Sequence, residues 1–403
     1  MRAALLRSSG ALAVVAALVA LVVAACDQGG TLGATGADAA ADTSPAGSDD
    51  AASGDGSSAH DAGLADTAPP DAAAACSPDA VAGLAVASAG TGFNPLDPLG
   101  YPPYALDGCT LVYAAPGGDL RLRDLSTGAE TPLAPASEQP RRPAIAGDLV
   151  AWEAVVGGAS LVRVSRAGQT TTIAGPFDHA GEPRVTGDAV VFTAWLTADD
   201  AGDTDVYLYL PASAQLVAVA TGWGQQRFAD VSPASVAVSD FSEDPTGAFS
   251  DTTHRDADVV VFDRATLAKT VRHLPGKQAF PMLGPGQHLA YLDWGLVTPE
   301  PKFSAYVIRL GLVPADPTTD ANVKGSGQVT VNTPYTRPSV RGAFIEWIDE
   351  SSGAGGLFRA PLDLSSAPTS TLGGLPLLGP VAGQPLTVVG TAGDPVLLRG
   401  VAR

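Results

Sequence analysis

The chain has 403 residues, 42 of them acidic and 23 basic, for a formal net charge of −19. That balance excludes a protein that grips phosphate backbones with its whole surface, so no nucleic-acid partner is expected, and it opposes docking on anionic headgroups. The length admits one large domain or two ordinary ones.

At the N-terminus, Arg2 and Arg7 precede an unbroken run of Ala, Leu and Val from Ala11 to Ala25. The run suits the core of a signal peptide and falls short of the ~20 residues of a membrane span. It ends in "LVVAACDQ", with small residues just before Cys26. This resembles the lipobox of bacterial lipoproteins, with Val23 where Leu is commonest. The resemblance implies a signal peptide over residues 1–25, cleavage before Cys26 and lipid on its thiol. The bilayer is then a partner, and the address is the bacterial cell envelope, facing the periplasm or the cell surface. An ordinary secretory signal with an incidental Cys26 is the alternative.

From Asp27 to Ala75 the chain holds nine Asp and no Lys, Arg, Glu or aromatic residue. Ala, Gly, Ser, Thr and Pro fill nearly all of the rest, and no apolar period runs through it. Such a stretch cannot bury enough surface to offset its ordering entropy. Residues 26–75 are therefore expected to be a disordered acidic tether with a coil span of roughly 35–42 Å. The remaining cysteines are Cys76 and Cys109. In an exported chain they are expected to form a disulfide, with two free buried thiols as the alternative.

From residue 76 to 403 one phrase recurs. "RRPAIAGDLVAWEA" from Arg141 is echoed by "GEPRVTGDAVVFTA" from Gly181. Aligned on glycine, the anchors are Gly108, Gly147, Gly187, Pro233 in looser form, Gly286, Gly342 and Gly393, spaced by 39, 40, 46, 53, 56 and 51 residues. A short strand enters each turn. An apolar strand leaves it, with an aromatic near its end: Tyr113, Trp152, Phe192, Tyr291, Trp347. Third strands follow, such as "DVYLYL" from Asp205, and then outer strands such as "TTTIAG". Period-2 patterning dominates, so the fold class is all-β. Four short strands per forty to fifty-five residues describe a β-propeller blade, which needs neighbours to bury both faces.

"RPAIAGDLVAW", "EPRVTGDAVVF", "DVSPASVAV" and "DTDVYLY" resemble the repeats of TolB-like β-propellers of bacterial envelope and archaeal surface proteins. The likeness spans about Ala80 to Arg403 and implies a propeller fold while leaving function open. Seven blades are expected, the last shared between C-terminal inner strands and an N-terminal outer strand from "AVAGLAVA"; six is the alternative.

Several clusters are candidates for chemistry. Asp199, Asp200, Asp203 and Asp205 offer oxygen ligands for calcium, against a solvated hairpin in which Asp205 caps a backbone amide; no other cofactor is indicated. In the long segment Phe241 to Asp258, His254 with Glu243, Asp244, Asp251, Asp256 and Asp258 offers ligands to a transition metal. The recurring aromatics read as packing between blades. Trp195, Trp223 and Trp294 lie off that register and are candidates for exposed binding contacts. Arg142, Arg227 and Arg337, with Glu182, flank the first strands that line a propeller's channel. They either form a cationic pocket for a carboxylate or anionic sugar, or pair with Asp and Glu around the ring. Serine-hydrolase, zinc-protease, phosphate-loop and dinucleotide motifs are all missing from the sequence. The expected function is a lipid-anchored propeller that binds or scaffolds an envelope or surface protein or glycan. The alternatives are a polymer-acting hydrolase or lyase at the channel mouth and a purely structural surface component.

Overall fold

The computed structural model describes residues 76–87, 101–196, 202–243, 257–295, 307–323, 337–349, 356–373, 377–382, 386–391 and 395–403. Cys26, the expected signal peptide and tether, Asp199, Asp200 and His254 lie outside the described residues. Among the described residues no helix is long and apolar enough to cross a membrane.

Seven four-stranded antiparallel sheets follow one another as blades. Blade 1 runs from Tyr104–Asp107 to Glu130–Ala134, and blade 2 from Arg141–Ala146 to Gln169–Thr172. Blade 3 runs from His179–Thr186 to Gln215–Ala220, and blade 4 from Gln226–Val231 to Lys269–Arg272. Blade 5 spans Gln278–Leu283 to Ala321–Asn322, and blade 6 spans Ser339–Arg341 to Thr369–Gly373. In blade 2 the turn between first and second strands is Gly147-Asp148, with Gly147 at φ 60°, a region open to glycine at little steric cost.

Each blade is apolar on both faces, and the core is the set of seams between blades. Strand alternation sends Val150 and Trp152 of blade 2 toward Val112 and Leu120 of blade 1. Leu149 and Ala151 on the same strand face Val190 and Phe192 of blade 3. The pattern continues around the ring, through Ile348 and Leu357 of blade 6 against Val389 of blade 7. It returns to the start where Val388 and Leu398 of blade 7 pack on Leu111 and Tyr113 of blade 1. Tyr113, Trp152, Phe192, Tyr291 and Trp347 are buried in these seams. A β-propeller of seven blades is the result.

Closure uses the chain's two ends. Blade 7 has three C-terminal strands, Leu377–Ala382, Leu386–Thr391 and Val396–Ala402, plus Ala85–Val86 as its outer member. Ala85 pairs with Leu397, and Val86 with Val396. The short 3₁₀ turn Pro78–Ala80 packs so closely on the same C-terminal strand that a Cβ at Gly400 would lie 2.6 Å from the Pro78 carbonyl oxygen. Just upstream, Cys76 is joined to Cys109 of blade 1, with Cα atoms 5.6 Å apart. One N-terminal segment thus holds the last blade by hydrogen bonds and the first by a covalent bond.

The Gly393 anchor needs correction. The second strand of blade 7 is Leu386–Thr391, so the "GDPVLL" stretch leads into the third strand. "GDP" imitates the recurring turn in composition, but pairing places the first-to-second connection at residues 383–385.

Candidate functional site

The first strands of blades 2, 3, 4, 5 and 7 share one irregularity. Their pairing shifts register between Arg141 and Ala144, Gly181 and Arg184, Arg227 and Asp230, Ala279 and Met282, and Leu378 and Val381. At these bulges Arg142, Glu182, Phe228 and Phe280 take φ values of 51°, 57°, 55° and 58°. Such angles are strained for residues with a side chain, so their recurrence marks a built feature that re-aims side chains. Proline follows at 143, 183 and 281, and Arg337 likewise precedes Pro338.

The re-aimed residues meet around Tyr101, which is buried. Three guanidinium carbons lie over its ring, those of Arg337, Arg184 and Arg142 at 4.4, 4.8 and 5.3 Å from the centroid. Arg337 also lies 5.4 Å from the Phe228 ring and 5.3 Å from that of Phe280. The Tyr101 hydroxyl accepts a hydrogen bond from Arg337 Nη2 at 2.9 Å and donates to Glu182 Oε2 at 3.3 Å. Burial pushes the Tyr101 phenol up to about 12, so it stays neutral.

Glu182 is the buried anion of this centre. It pairs with Arg227 and accepts from Thr193 Oγ1 and the Phe228 amide, each at 3.3 Å. Burial alone would raise its pKa, but the charges of Arg227 and Arg142 more than reverse this and hold it at about 2. Glu153, fully buried in blade 2, plays the same part beside it. It takes Arg142 Nη1 at 2.8 Å, Arg141 Nε at 2.9 Å and the Glu182 amide at 3.3 Å. Burial again opposes ionisation of Glu153, and the two arginines again overcome it.

The expected arginines therefore divide. Arg142 and Arg227 form ion pairs, whereas Arg337 donates to a neutral phenol. Tyr101, Glu153 and Arg184 complete the centre and were not singled out by sequence. None of the three is the residue before a first-strand proline: Arg184 follows Pro183, Glu153 sits on a second strand, and Tyr101 lies ahead of the first strand of blade 1.

Among the tryptophans, Trp223 is 59% exposed and Trp195 is stacked on His179 at 5.5 Å. Trp294 corrects the expectation of an exposed contact. It is 5% exposed, packed in the core with Phe280 and capped by Lys277 Nζ at 4.7 Å, because its segment folds back on the inner strands. Asp203 and Asp205 line a small pocket with Phe177, Trp195 and Tyr207, and Asp205 Oδ1 accepts the Gly222 amide at 3.3 Å. In blade 4, Glu243 and Asp258 meet His273, with ligand atoms within 4.8 Å of one another. His273 Nδ1 lies 3.0 Å from Asp258 Oδ1. Burial raises the Asp258 pKa, His273 opposes that, and Glu243 and Asp240 add to it. This group has the donor set of a divalent-metal ligand cluster.

No protein-family model matches the sequence, and no curated protein does. Solved structures do. The β-propeller domain of the Trilobed protease from Pyrococcus furiosus, described as having an open velcro topology, aligns over 74% of this chain and 91% of its own with a TM-score of 0.55 at 8% identity. The tricorn protease aligns over 74% of this chain and 33% of its own, at a TM-score of 0.53 and 10% identity. TolB from Acinetobacter baumannii is 14% identical over 61% of this chain and 57% of its own length, at a TM-score of 0.41 that adds nothing to the fold. Likenesses this distant in sequence show one thing about this chain, its β-propeller fold.

Proposed function

We propose that this protein is a lipid-anchored component of the bacterial cell envelope whose propeller works as a binding or scaffolding module for an envelope or surface protein or glycan. The observation that carries the reading is the state of the ring centre. Glu182 is fixed in its ionised form by ion pairing and hydrogen bonds, and Tyr101 is fixed in its neutral form. A general acid or base needs a pKa near the working pH, so these groups suit recognition and rigidity better than proton transfer. The closed ring adds a stiff frame, and Trp223 and Leu196, 59% and 60% exposed, supply apolar contacts on its loops. Lipid attachment at Cys26 and a tether over residues 26–75 would let this frame stand off the bilayer. The hydrolase or lyase alternative would need a titrating group at the channel mouth.

The test uses the full chain expressed in a bacterium. Metabolic labelling with palmitate is expected to mark the wild type and not Cys26→Ser. A photo-crosslinking residue at position 223 is expected to give a discrete adduct, and one at Thr171 on an outer strand none. Equal labelling of both chains would remove the anchor, and identical crosslinking from both positions would remove the binding face.

A further inference from the structure

We propose that Arg184 and Arg337, beside the ring of Tyr101, form a binding site for a carboxylate anion. This rests on the binding-module reading and narrows its ligand.

The centre holds more cations than its anions satisfy. Arg337 is 4% exposed, and its Nη2 donates to Tyr101, while among the described residues Nε and Nη1 have no hydrogen-bond partner. Arg184 lies over the same ring, and its buried Nε has no partner either. Among the described residues no carboxylate stands within ion-pair distance of either guanidinium. The nearby acids are already engaged: Glu182 by Arg227, Tyr101, Thr193 and Phe228, and Glu153 by Arg141, Arg142 and Glu182. Asp230 Oδ2 accepts the Leu283 amide at 2.7 Å, and the Asp230 charge acts on Arg184 from beyond ion-pair distance. Burial, and then the charge of Arg337, lower the Arg184 pKa to about 10, which leaves it cationic at neutral pH. Buried donors without acceptors cost free energy that an arriving anion recovers.

Geometry selects the kind of anion. Guanidinium forks present coplanar N–H groups that match two oxygens of a carboxylate or a phosphate. Phosphate is typically cradled by backbone amides. Here the amides of Glu182 and Phe228 are taken by Glu153 and Glu182. At the edge of this centre Arg142 and Arg227 keep 13% and 17% of their side chains exposed.

The experiment follows the thermal midpoint of the full chain in sodium chloride, succinate and sulfate at one ionic strength and pH 7. A saturable rise in succinate, absent in chloride and smaller in sulfate, is expected. Arg184→Gln removes a cation that makes no ion pair among the described residues, and it is expected to weaken succinate binding at least ~30-fold. Arg337→Gln is expected to act alike; should it fail to fold, Arg184→Gln still decides. A short peptide with a free C-terminus, compared with its amide, separates a protein carboxylate from a small-molecule one. The free peptide alone raising the midpoint assigns the site to a protein partner, and succinate alone to a metabolite; both outcomes support the site. No response to either carboxylate, an equal response to sulfate, or a succinate response unchanged in Arg184→Gln overturns it. The crosslink from position 223 tests the broader reading separately.

Discussion

Gly181 of blade 3 lies directly against the Glu153 carboxylate of blade 2, where a Cβ would sit 2.5 Å from Oε2. The contact lets the Glu182 amide reach the same oxygen while Arg141 and Arg142 hold the carboxylate from its own blade. A buried anion is thereby shared across a seam. Gly181→Ala must push Glu153 off its arginines or move a strand. The expected cost is about 1–3 kcal/mol in urea unfolding, the range for overpacking a filled interior. Gly187→Ala, where a Cβ meets nothing within 4 Å, is the control and should stay within ~0.5 kcal/mol of wild type. Equal effects at both positions would mean the shared carboxylate does not matter.

A second buried pair joins blades 4 and 5. Arg272 Nη1 meets Asp320 Oδ1 at 3.0 Å with both side chains removed from solvent, and Tyr291 donates to Asp320 Oδ2 at 2.8 Å. Burial raises the Asp320 pKa, and Tyr291 and Arg272 pull against it. Asp320→Ala strands a guanidinium in the interior, and the loss should be about 3–5 kcal/mol in denaturant unfolding. Arg272→Met combined with Asp320→Leu removes both charges and should recover most of it. A double variant no better than Asp320→Ala would show that packing, and not the stranded charge, sets the loss.

The blades were legible because each repeats a glycine turn, an apolar strand and an aromatic, and each of those has a local physical cause. Gly393 misled because a "GDP" triplet reproduces the turn's composition without its pairing, which only neighbouring strands decide. At the ring centre, Arg142, Glu182, Arg227 and Arg337 could be placed by their position at the first strands. Arg184 could not. A bulge adds a residue to one strand of a pair, and so changes which side chains face inward beyond it. Tyr101 precedes the first strand of blade 1 and carries no repeat signal, and Glu153 sits on a second strand. Trp294 shows the converse. Its place outside the aromatic register suggested exposure, but the backbone after blade 5's second strand turns it into the core.

The N-terminal clasp predicts a stability that depends on oxidation. The Cys76–Cys109 bond spans a sequence separation of 33 residues. By loop-closure entropy a bond of that span contributes roughly 3–4 kcal/mol. Cys109→Ser should lower the thermal midpoint, and a reductant should then cause no further drop. Since Ala85–Val86 contributes only two residues to blade 7, the variant should also open locally there. Hydrogen exchange at Val396 and Leu397 would report it. A midpoint that a reductant leaves unchanged in wild type would remove the clasp.

Glu182 sets a pH dependence whose sign is fixed by its partners. Its ordinary value of 4.5 falls to about 2 in the folded protein, so the unfolded chain binds the proton more tightly. Stability from this group is fully present above roughly pH 5.5 and is lost as the pH falls toward about 2. At neutral pH the contribution is on the order of 3 kcal/mol. Glu182→Gln keeps the shape and removes the charge, so it should be less stable than wild type at pH 7, with the gap narrowing through pH 4 and 3. Taking the difference between the two proteins at each pH isolates Glu182 from Asp258 and Asp320, whose pKa values burial moves upward. A gap that stays constant from pH 7 to 3 would mean the carboxylate is not held ionised by Arg227 and Arg142, and the anion balance drawn for the ring centre would fail with it.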